Sequence, residues 1–372
     1  MDRTKTVSSL KEVLRLGQSV WYDGLISRSE FERMIREDGL RGATTNPVIF
    51  EKALASGSYD AQIHRLGREG KPDEEIYKTL AVAAVQEVAD VFGDVYLQTK
   101  GQDGFISIEV SPLLAYDTAG TVREAQELYA RIGRKNVMIK IPATAQGIPA
   151  IQEVISKGIP VNVTLIFAVE RHREVMEAYL SGLDHRVDAG LPVNEAASVA
   201  SFFVSRVDSA VDKRLEQMIR SSNDRSLQEL YRSLLGKSAI ANSKIAYAAF
   251  EEVFTGERFR SLKKNGAQSQ RPLWASTGTK NPDYSDVLYV EMLIGPNTVN
   301  TIPPPTLDAF RDHGRAELTL TESLQESEKI LEKLAFAGIA LTEVTAELEK
   351  TGVELFGEAY RKIIQRIGDK RK

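Results

Sequence analysis

The sequence contains no cysteine, and this absence limits the chemistry open to the protein. Without thiols there is no disulfide, no thiolate metal site and no cysteine nucleophile. Histidine is scarce as well, and its few copies fall in separate helical or loop segments without metal-ligand spacing. They are His64, His172, His185 and His313. We therefore predict no metal and no cofactor, and we assign the histidines surface or structural roles.

Long apolar runs and blocks of like charge are also missing. No run reaches the roughly 18 apolar residues that span a bilayer, so we expect no membrane segment. Lysine and arginine total 48, aspartate and glutamate total 52, and the two signs are interspersed around a net charge of -4. This pattern does not predict a nucleic-acid surface and favours small soluble partners. The polar N-terminal stretch 1–16 lacks a signal peptide's apolar core, so we expect a cytoplasmic protein.

Short apolar segments typical of strands alternate with longer amphipathic segments typical of helices over most of the chain. The predicted strands lie near residues 19–23, 39–46, 104–111, 136–142, 159–167, 200–207, 272–277 and 298–304. Among the helices between them, one is predicted to begin at Thr121, with Glu124 completing a capping box, and to end at Gly133. The order is that of repeated strand–helix units.

Continuously apolar strands are buried on both faces, as in a parallel sheet covered by helices. Eight such units predict an α/β fold, a (β/α)8 TIM barrel, with an open doubly wound sheet as the alternative. The longer connections 47–103 and 208–271 have helical periodicity and predict extra helices. We expect one domain over 1–372, with the barrel at about 19–305 and a helical C-terminal tail at about 306–372.

Lys140 lies inside the apolar segment VMIKIP, at 137–142. Burial in a hydrophobic strand disfavours the charged ammonium form, and a neutral lysine is a nucleophile. A lysine at a strand end can also reach solvent or pair with a carboxylate, which is the structural alternative. The neighbouring strands decide between these interpretations.

Polar side chains recur at the carboxyl ends of the predicted strands, which meet on one face of a barrel where active sites are built. They are Asp23, Asn46, Glu109, Lys140, Asn162, Thr164, Ser201 and Arg206. Lys140 would form an imine with a ketone, and the carboxylates Asp23 and Glu109 would divide the proton transfers. The amides suit sugar hydroxyls, and Thr164 suits a water molecule. Arg206 and Lys280 would supply positive charge for a phosphate.

Five segments resemble the transaldolases of the pentose phosphate pathway. They are ATTNP (43–47), ISIEVSPLLAYDT (106–118), VMIKIPATAQGIPA (137–150), GIPVNVTLIF (158–167) and SFFVSRVD (201–208). The resemblance implies a barrel of the lysine (Schiff-base) aldolase type. It also implies transfer of a dihydroxyacetone unit from sedoheptulose 7-phosphate to glyceraldehyde 3-phosphate, giving erythrose 4-phosphate and fructose 6-phosphate. The length of the chain is more similar to the larger bacterial members.

The resemblance also implies roles for single residues. Lys140 matches the Schiff-base lysine, Asp23 the acid/base at the C4 hydroxyl, and Glu109 with Thr164 the pair holding a catalytic water. The dihydroxyacetone portion would be bound by Asn46, Asn162 and Ser201, with Phe203 lining the site and Arg206 binding phosphate. Many members carry a second phosphate-binding arginine at the seventh strand, where this sequence has WASTGTKNP. We assign that role to Lys280, with Ser276 nearby.

Two alternatives differ from a transaldolase. The first keeps the imine but releases free dihydroxyacetone, as a fructose-6-phosphate-type aldolase does. The second is a non-catalytic barrel that binds sugar phosphate, and the altered seventh strand is its only support. The expected partners are small sugar phosphates, and the sequence leaves monomer and homodimer undecided.

Overall fold

Eight strands occur in the eight segments where the sequence predicts them, in a computed structural model that describes residues 8–371. Residues 1–7 and 372, which belong to the predicted domain, lie outside the described residues. The strands β1 to β8 are Gln18–Asp23, Gly42–Thr44, Phe105–Glu109, Val137–Pro142, Val161–Ile166, Ser198–Phe203, Arg271–Ala275 and Thr298–Ile302.

The strands form one closed barrel in which every neighbouring pair is parallel. They follow chain order from β1 to β8, and β8 pairs with β1 to close the ring. The (β/α)8 prediction is therefore confirmed, and the open sheet is excluded. The register places Glu109 beside Lys140 and Lys140 beside Asn162, so three of the predicted site residues share one level of the barrel.

Helices surround the barrel, and extra helices occupy both long connections as predicted. The helices α1 to α17 are Ser9–Arg15, Arg28–Asp38, Pro47–Ala55, Asp60–Arg68, Asp73–Val91, Gly93–Gln98, Thr118–Ile132, Gly147–Ser156, Val169–Asp188, Ser205–Ser221, Arg225–Leu234, Ser238–Thr255, Glu257–Lys264, Leu288–Glu291, Pro304–His313, Leu324–Phe336 and Leu341–Lys370. Within residues 8–371, no helix combines the length and apolarity that a membrane crossing requires.

Local signals set some helix ends and were misread at others. Gly133 ends α7 in a left-handed conformation, as predicted. The helix begins earlier than predicted, however, because the side chain of Asp117 accepts a hydrogen bond from Gly120 N and caps it. The capping box at Thr121 and Glu124 is therefore wrong. The Thr121 hydroxyl instead donates to the carbonyl of Leu114.

The sixth predicted strand extends too far. β6 ends at Phe203, and α10 begins two residues later at Ser205. Arg206 therefore belongs to the first turn of a helix and not to the end of a strand. The segment SFFVSRV is apolar and β-branched enough to suggest one continuous strand, which explains the overextension.

The C-terminal tail packs against the barrel. α17 contacts α3, α5 and α10, and it also reaches β5. Its buried face includes Val353, Phe356 and Ile363. Gly352 lets the helix approach β5 closely, because a Cβ there would lie 2.8 Å from Cδ2 of Leu165. The apolar pattern of the tail is therefore used for packing within the chain.

The amino ends of the strands are closed by a buried polar network. Arg271 and Asp103 form an ion pair of 2.9 Å, and both are less than a tenth exposed. Ser19 donates to Asp103 and accepts from Arg271, while the indole of Trp21 also donates to Asp103. Since these buried charges are paired and hydrogen-bonded, they close this end of the barrel. A substrate has to enter from the opposite face.

Candidate active site

A cavity of about 600 Å3 opens at the carboxyl ends of the strands. Eight of the eleven predicted site residues line it: Asp23, Asn46, Lys140, Ser201, Phe203, Arg206, Ser276 and Lys280. The other three, Glu109, Asn162 and Thr164, lie on β3 and β5, the strands that flank β4 and its Lys140. The barrel therefore brings predicted residues from five strands, or from the segments that follow them, to one cavity, as the convergence argument predicts.

Lys140 lines this cavity and is buried, with 5% of its surface exposed. Its Nζ donates a hydrogen bond of 3.2 Å to the carbonyl oxygen of Thr45. Within residues 8–371 it forms no ion pair within 4.0 Å. Lys140 is therefore not paired with a carboxylate of the described residues, as the structural alternative required. Its amine faces the space that a substrate would fill.

Asp23, at the end of β1, is half-buried in the wall of the cavity. Burial raises the pKa of its carboxyl, whereas the positive charge of Lys140 and a hydrogen bond from Thr44 oppose the rise. The carboxylate thus has a raised affinity for a proton while lying close enough to Lys140 to feel its charge. These are the properties required of a group that takes up and returns a proton.

Glu109 ends β3 beside Lys140. Burial raises the pKa of its carboxyl to about 7, and the charge of Lys140 opposes this rise. Its Oε2 is buried and accepts no hydrogen bond from another described residue, and the buried Thr164 Oγ1 is equally unpaired. Buried polar atoms are normally hydrogen-bonded, so both oxygens keep the capacity to bind a polar partner. A water molecule would satisfy both kinds of group.

Amides and hydroxyls form a connected set across the floor of the barrel. Ser201 donates to Oδ1 of Asn162 at 2.7 Å, and Nδ2 of Asn162 donates to the Ser107 hydroxyl at 2.9 Å. Asn162 is therefore fixed by two neighbours. Asn46 caps α3 by accepting a hydrogen bond from Ile49 N, which orients its amide at the cavity wall.

The predicted phosphate residues line the same cavity as Lys140. Arg206 lies over the ring of Phe203, 5.3 Å from its centroid, and burial lowers the pKa of its guanidinium. Burial also lowers the pKa of Lys280, and the charge of Arg206 adds to this effect. Ser276 has a φ of 57° and lies 3.0 Å from the Ser205 hydroxyl, so the turn after β7 is joined to the start of α10.

Sequence reasoning missed several residues of this cavity. Lys52 of α3 and Thr301 of β8 line it, and Phe356 of α17 contributes to its wall. Thr44 contacts Asp23 directly. Lys52 follows the ATTNP segment by five residues, and that proximity was the available signal. Phe356 gave none, because nothing local marks which residue of a long amphipathic tail reaches a distant cavity.

The sequence matches the family described as Transaldolase/Fructose-6-phosphate aldolase over residues 20–367. The chain belongs to this family. Curated proteins named transaldolase are similar over almost the whole length. One from Trichodesmium erythraeum is 43% identical over 98% of this chain and 97% of its own. One from Saccharopolyspora erythraea is 44% identical over 97% of both, and one from Mycolicibacterium smegmatis is 46% identical over 94% and 93%.

The residues that line the cavity are consistent with the activities in the family name. The family name covers a transferase and an aldolase, and an amine facing a sugar-sized cavity suits both activities. Within residues 8–371, no group of three or more histidine, aspartate or glutamate side chains is arranged to hold a metal ion. Lys140 and its carboxylate neighbours Asp23 and Glu109 place an amine and two acids at or beside the cavity.

Proposed function

We propose that this protein is a transaldolase. It transfers a dihydroxyacetone unit from sedoheptulose 7-phosphate to glyceraldehyde 3-phosphate, giving erythrose 4-phosphate and fructose 6-phosphate through a Schiff base on Lys140. The observation that carries the proposal is a buried, ion-pair-free Lys140 facing the same cavity as Asp23. The full-length similarity to proteins named transaldolase supports it.

The reaction follows from the placement of the amine and the acid. Nζ of Lys140 attacks the C2 carbonyl of the ketose, and loss of water leaves an iminium. Asp23 removes the proton of the C4 hydroxyl, the C3–C4 bond breaks, and its electrons move to the iminium as the aldose leaves. The resulting enamine attacks the aldehyde carbon of the acceptor, whose oxygen receives the proton from Asp23.

Imine formation and hydrolysis both move water, and Glu109 with Thr164 is proposed to hold that molecule. Their unpaired buried oxygens support this role. A carboxyl with a pKa of about 7 can exchange a proton with water at neutral pH. General acid–base catalysis is most efficient when the pKa of the group lies near the working pH.

The remaining residues are proposed to bind the sugar phosphates. Asn46, Asn162 and Ser201 would hydrogen-bond the hydroxyls of the dihydroxyacetone unit, and Phe203 would cover its apolar face. Arg206, Ser276 and Lys280 would bind the phosphate. Fixed amides recognise hydroxyls by directed hydrogen bonds, while the cations compensate the charge of the phosphate.

Borohydride trapping tests the mechanism. The protein is incubated with fructose 6-phosphate, reduced with borohydride, digested and analysed by mass spectrometry. We expect a reduced dihydroxyacetone adduct on Lys140. An unmodified Lys140 together with undiminished transferase activity would show that the imine forms elsewhere or not at all.

The alternative within the same family is an aldolase that releases dihydroxyacetone. The two differ in what happens to the enamine once the aldose has left, since protonation by water releases the ketone and attack on an aldehyde transfers it. Assays with and without an aldehyde acceptor distinguish them. A transaldolase depends strictly on the acceptor, whereas free dihydroxyacetone accumulating at the turnover rate without acceptor would establish the aldolase.

Further properties follow from the same proposal. We propose that 1–372 forms one domain, with a barrel at about 19–305 and helices at about 306–372, because α17 packs directly on β5 and α3. The proposed partners are sugar phosphates and not nucleic acids, and the proposed location is the cytoplasm. Monomer and homodimer stay open, and sedimentation analysis distinguishes them.

A further inference from the structure

A third cation stands at the cavity that holds Arg206 and Lys280. Lys52 belongs to α3, after β2, whereas Arg206 follows β6 and Lys280 follows β7. All three line the one cavity, together with Asp23 and Lys140. Positive side chains thus reach this space from separate parts of the barrel rim.

The three cations have no anionic partner among the described residues. Across residues 8–371, none of them lies within 4.0 Å of a carboxylate oxygen, whereas Lys78, Lys135 and Lys370 each form such a pair. Their side chains also form no hydrogen bond to another described residue. Unpaired like charges around one space are unfavourable to each other, and an anion between them removes the repulsion.

Lys280 is affected by the charges of the other two. Burial, the charge of Arg206 and the charge of Lys52 all lower its pKa, and only Asp23 acts in the opposite direction. Lys52 is therefore near enough to Lys280 for the two ammonium groups to repel. The repulsion makes the outer part of the cavity a place for negative charge, and Asp23 alone does not neutralise it.

The position of Lys52 along α3 suits the far end of a sugar phosphate. Asn46 caps the helix at the cavity wall, and Lys52 follows six residues later, which at 1.5 Å per residue is about 9 Å along the axis. On the other side, Nζ of Lys280 lies 3.8 Å from where a Cβ of Gly278 would be, so this ammonium group leans over the turn after β7. A ligand held at Lys140 would share one cavity with both lysines.

We infer that Lys52 is a third phosphate-binding residue, acting with Arg206 and Lys280 on the phosphate of the sugar substrates. The inference rests on the proposed transaldolase function and deepens it. Arg206 makes the forked contact that a guanidinium allows, and the two lysines act as point charges on either side. The segment WASTGTKNP provides no arginine, and the pair of lysines supplies the charge instead.

The test compares Lys52→Gln with Lys263→Gln in the full-length protein. Lys263 is an exposed lysine of α13, the helix that precedes β7, and it forms no ion pair. Two quantities are measured: the dissociation constant of inorganic phosphate by calorimetry, and the ratio of kcat/KM for glyceraldehyde 3-phosphate to that for glyceraldehyde. Because the change removes one charge-assisted contact to the phosphate, we expect Lys52→Gln to raise the dissociation constant and lower the ratio, each by about tenfold or more.

A Lys52→Arg variant checks that charge is responsible, because it keeps the positive charge and should recover most of the loss. Equal phosphate binding in Lys52→Gln and Lys263→Gln would overturn the inference, and it would do so even if transfer activity were normal. The proposed function fails on different evidence, namely the absence of both transfer and a borohydride adduct in the unmodified protein. Because phosphate binding is measured without turnover, the inference is tested in either case.

Discussion

The Thr44 hydroxyl donates a hydrogen bond of 2.9 Å to Oδ1 of Asp23. Its oxygen lies 2.6 Å from the hydroxyl of Thr301, which must therefore be the donor in that contact. A relay thus runs from β8 through β2 to the carboxylate on β1. A hydrogen bond to the charged form stabilises it, so Thr44 holds the pKa of Asp23 below the value that burial alone would produce.

Thr44→Val removes this donor and should move the pH dependence of transfer. Without the hydrogen bond the pKa of Asp23 rises further, so the carboxylate is ionised only at higher pH. We therefore expect the acidic limb of the kcat profile to shift to higher pH. Thr44→Ser keeps the hydroxyl and is the matched control. Identical profiles for the two variants would exclude the relay.

Lys140→Arg tests the amine without removing the positive charge. The guanidinium can still donate to Thr45 O, so we expect the variant to fold with a melting temperature close to that of the parent. It stays protonated and cannot form the imine, so transfer should fall to the rate of the reaction without protein. Lys135→Arg, at an exposed lysine paired with Glu195, is the control. Substantial transfer by Lys140→Arg would exclude the Schiff base at this residue.

The strand ends explain why so much of the site could be predicted. An acid, amide or lysine is unusual in an apolar strand and can therefore be recognised in the sequence. The barrel brings the carboxyl ends of its strands to one face, so these residues lie close together. Asp23, Asn46 and Lys140 were identifiable for this reason, and they line one cavity. Helical residues give no such signal. Lys52 lies on α3, where a lysine is ordinary, and apart from its closeness to ATTNP only the fold showed that it lines the cavity.

Backbone conformation was also hidden from the sequence. Ser276 and Leu165 both have positive φ, which serine and leucine rarely adopt. Ser276 directly follows β7, and Leu165 follows Thr164 within β5. The residue types give no warning, because such conformations are imposed by the surrounding packing. The strands were predictable, but the turns that orient Thr164 and Lys280 were not.

Glu109→Gln should change the pH dependence of stability. The pKa of this carboxyl rises from its ordinary value of 4.5 to about 7 in the folded protein, so the folded state keeps its proton longer than the unfolded state. Its contribution to stability is full below pH 4.5 and is lost as the pH rises to about 7. The loss is about 3 kcal/mol. Glutamine does not ionise, so the variant should gain stability relative to the parent between pH 4.5 and 8.

Denaturant unfolding of both proteins at the two pH values measures this difference. Glu127→Gln, on the exposed side of α7, is a control at which we expect less than about 0.5 kcal/mol of change. A Glu109→Gln variant whose advantage does not grow with pH would contradict the raised pKa. The same variant should lose the inflection near pH 7 in its kcat profile if Glu109 exchanges a proton with the water of imine hydrolysis.

Tyr284→Phe tests how the turn carrying Lys280 is held. The Tyr284 hydroxyl donates to Oδ2 of Asp212 at 2.9 Å, and Oδ1 of that carboxylate accepts from Gly236 N. Asp212 lies on α10, the helix of Arg206, so this contact ties the two phosphate residues together. Loss of this hydrogen bond costs about 1 kcal/mol of interaction energy. We expect it to raise KM for glyceraldehyde 3-phosphate about fivefold and to change kcat less. Tyr247→Phe, whose hydroxyl contacts Pro296 O, should leave both values near those of the parent.

Gly352→Ala, in α17, tests whether the tail helps to shape the site. Leu165, next to Thr164, is buried with a φ of 59° at a bulge in β5, and a Cβ at residue 352 would lie 2.8 Å from its Cδ2. The buried leucine has little space to move, so we expect about 1–3 kcal/mol of destabilisation and slower transfer.

Gly357→Ala is the matched control in the same helix, because its nearest atoms are 3.8 Å away at the end of Arg361. There alanine should stabilise by about 0.5–1 kcal/mol, since glycine is unfavourable inside a helix. Thermal unfolding and transfer rates of the two variants measure the contrast. Because the two changes are chemically identical and differ only in what the new methyl group meets, equal effects would mean that α17 does not constrain Leu165 or the position of Thr164.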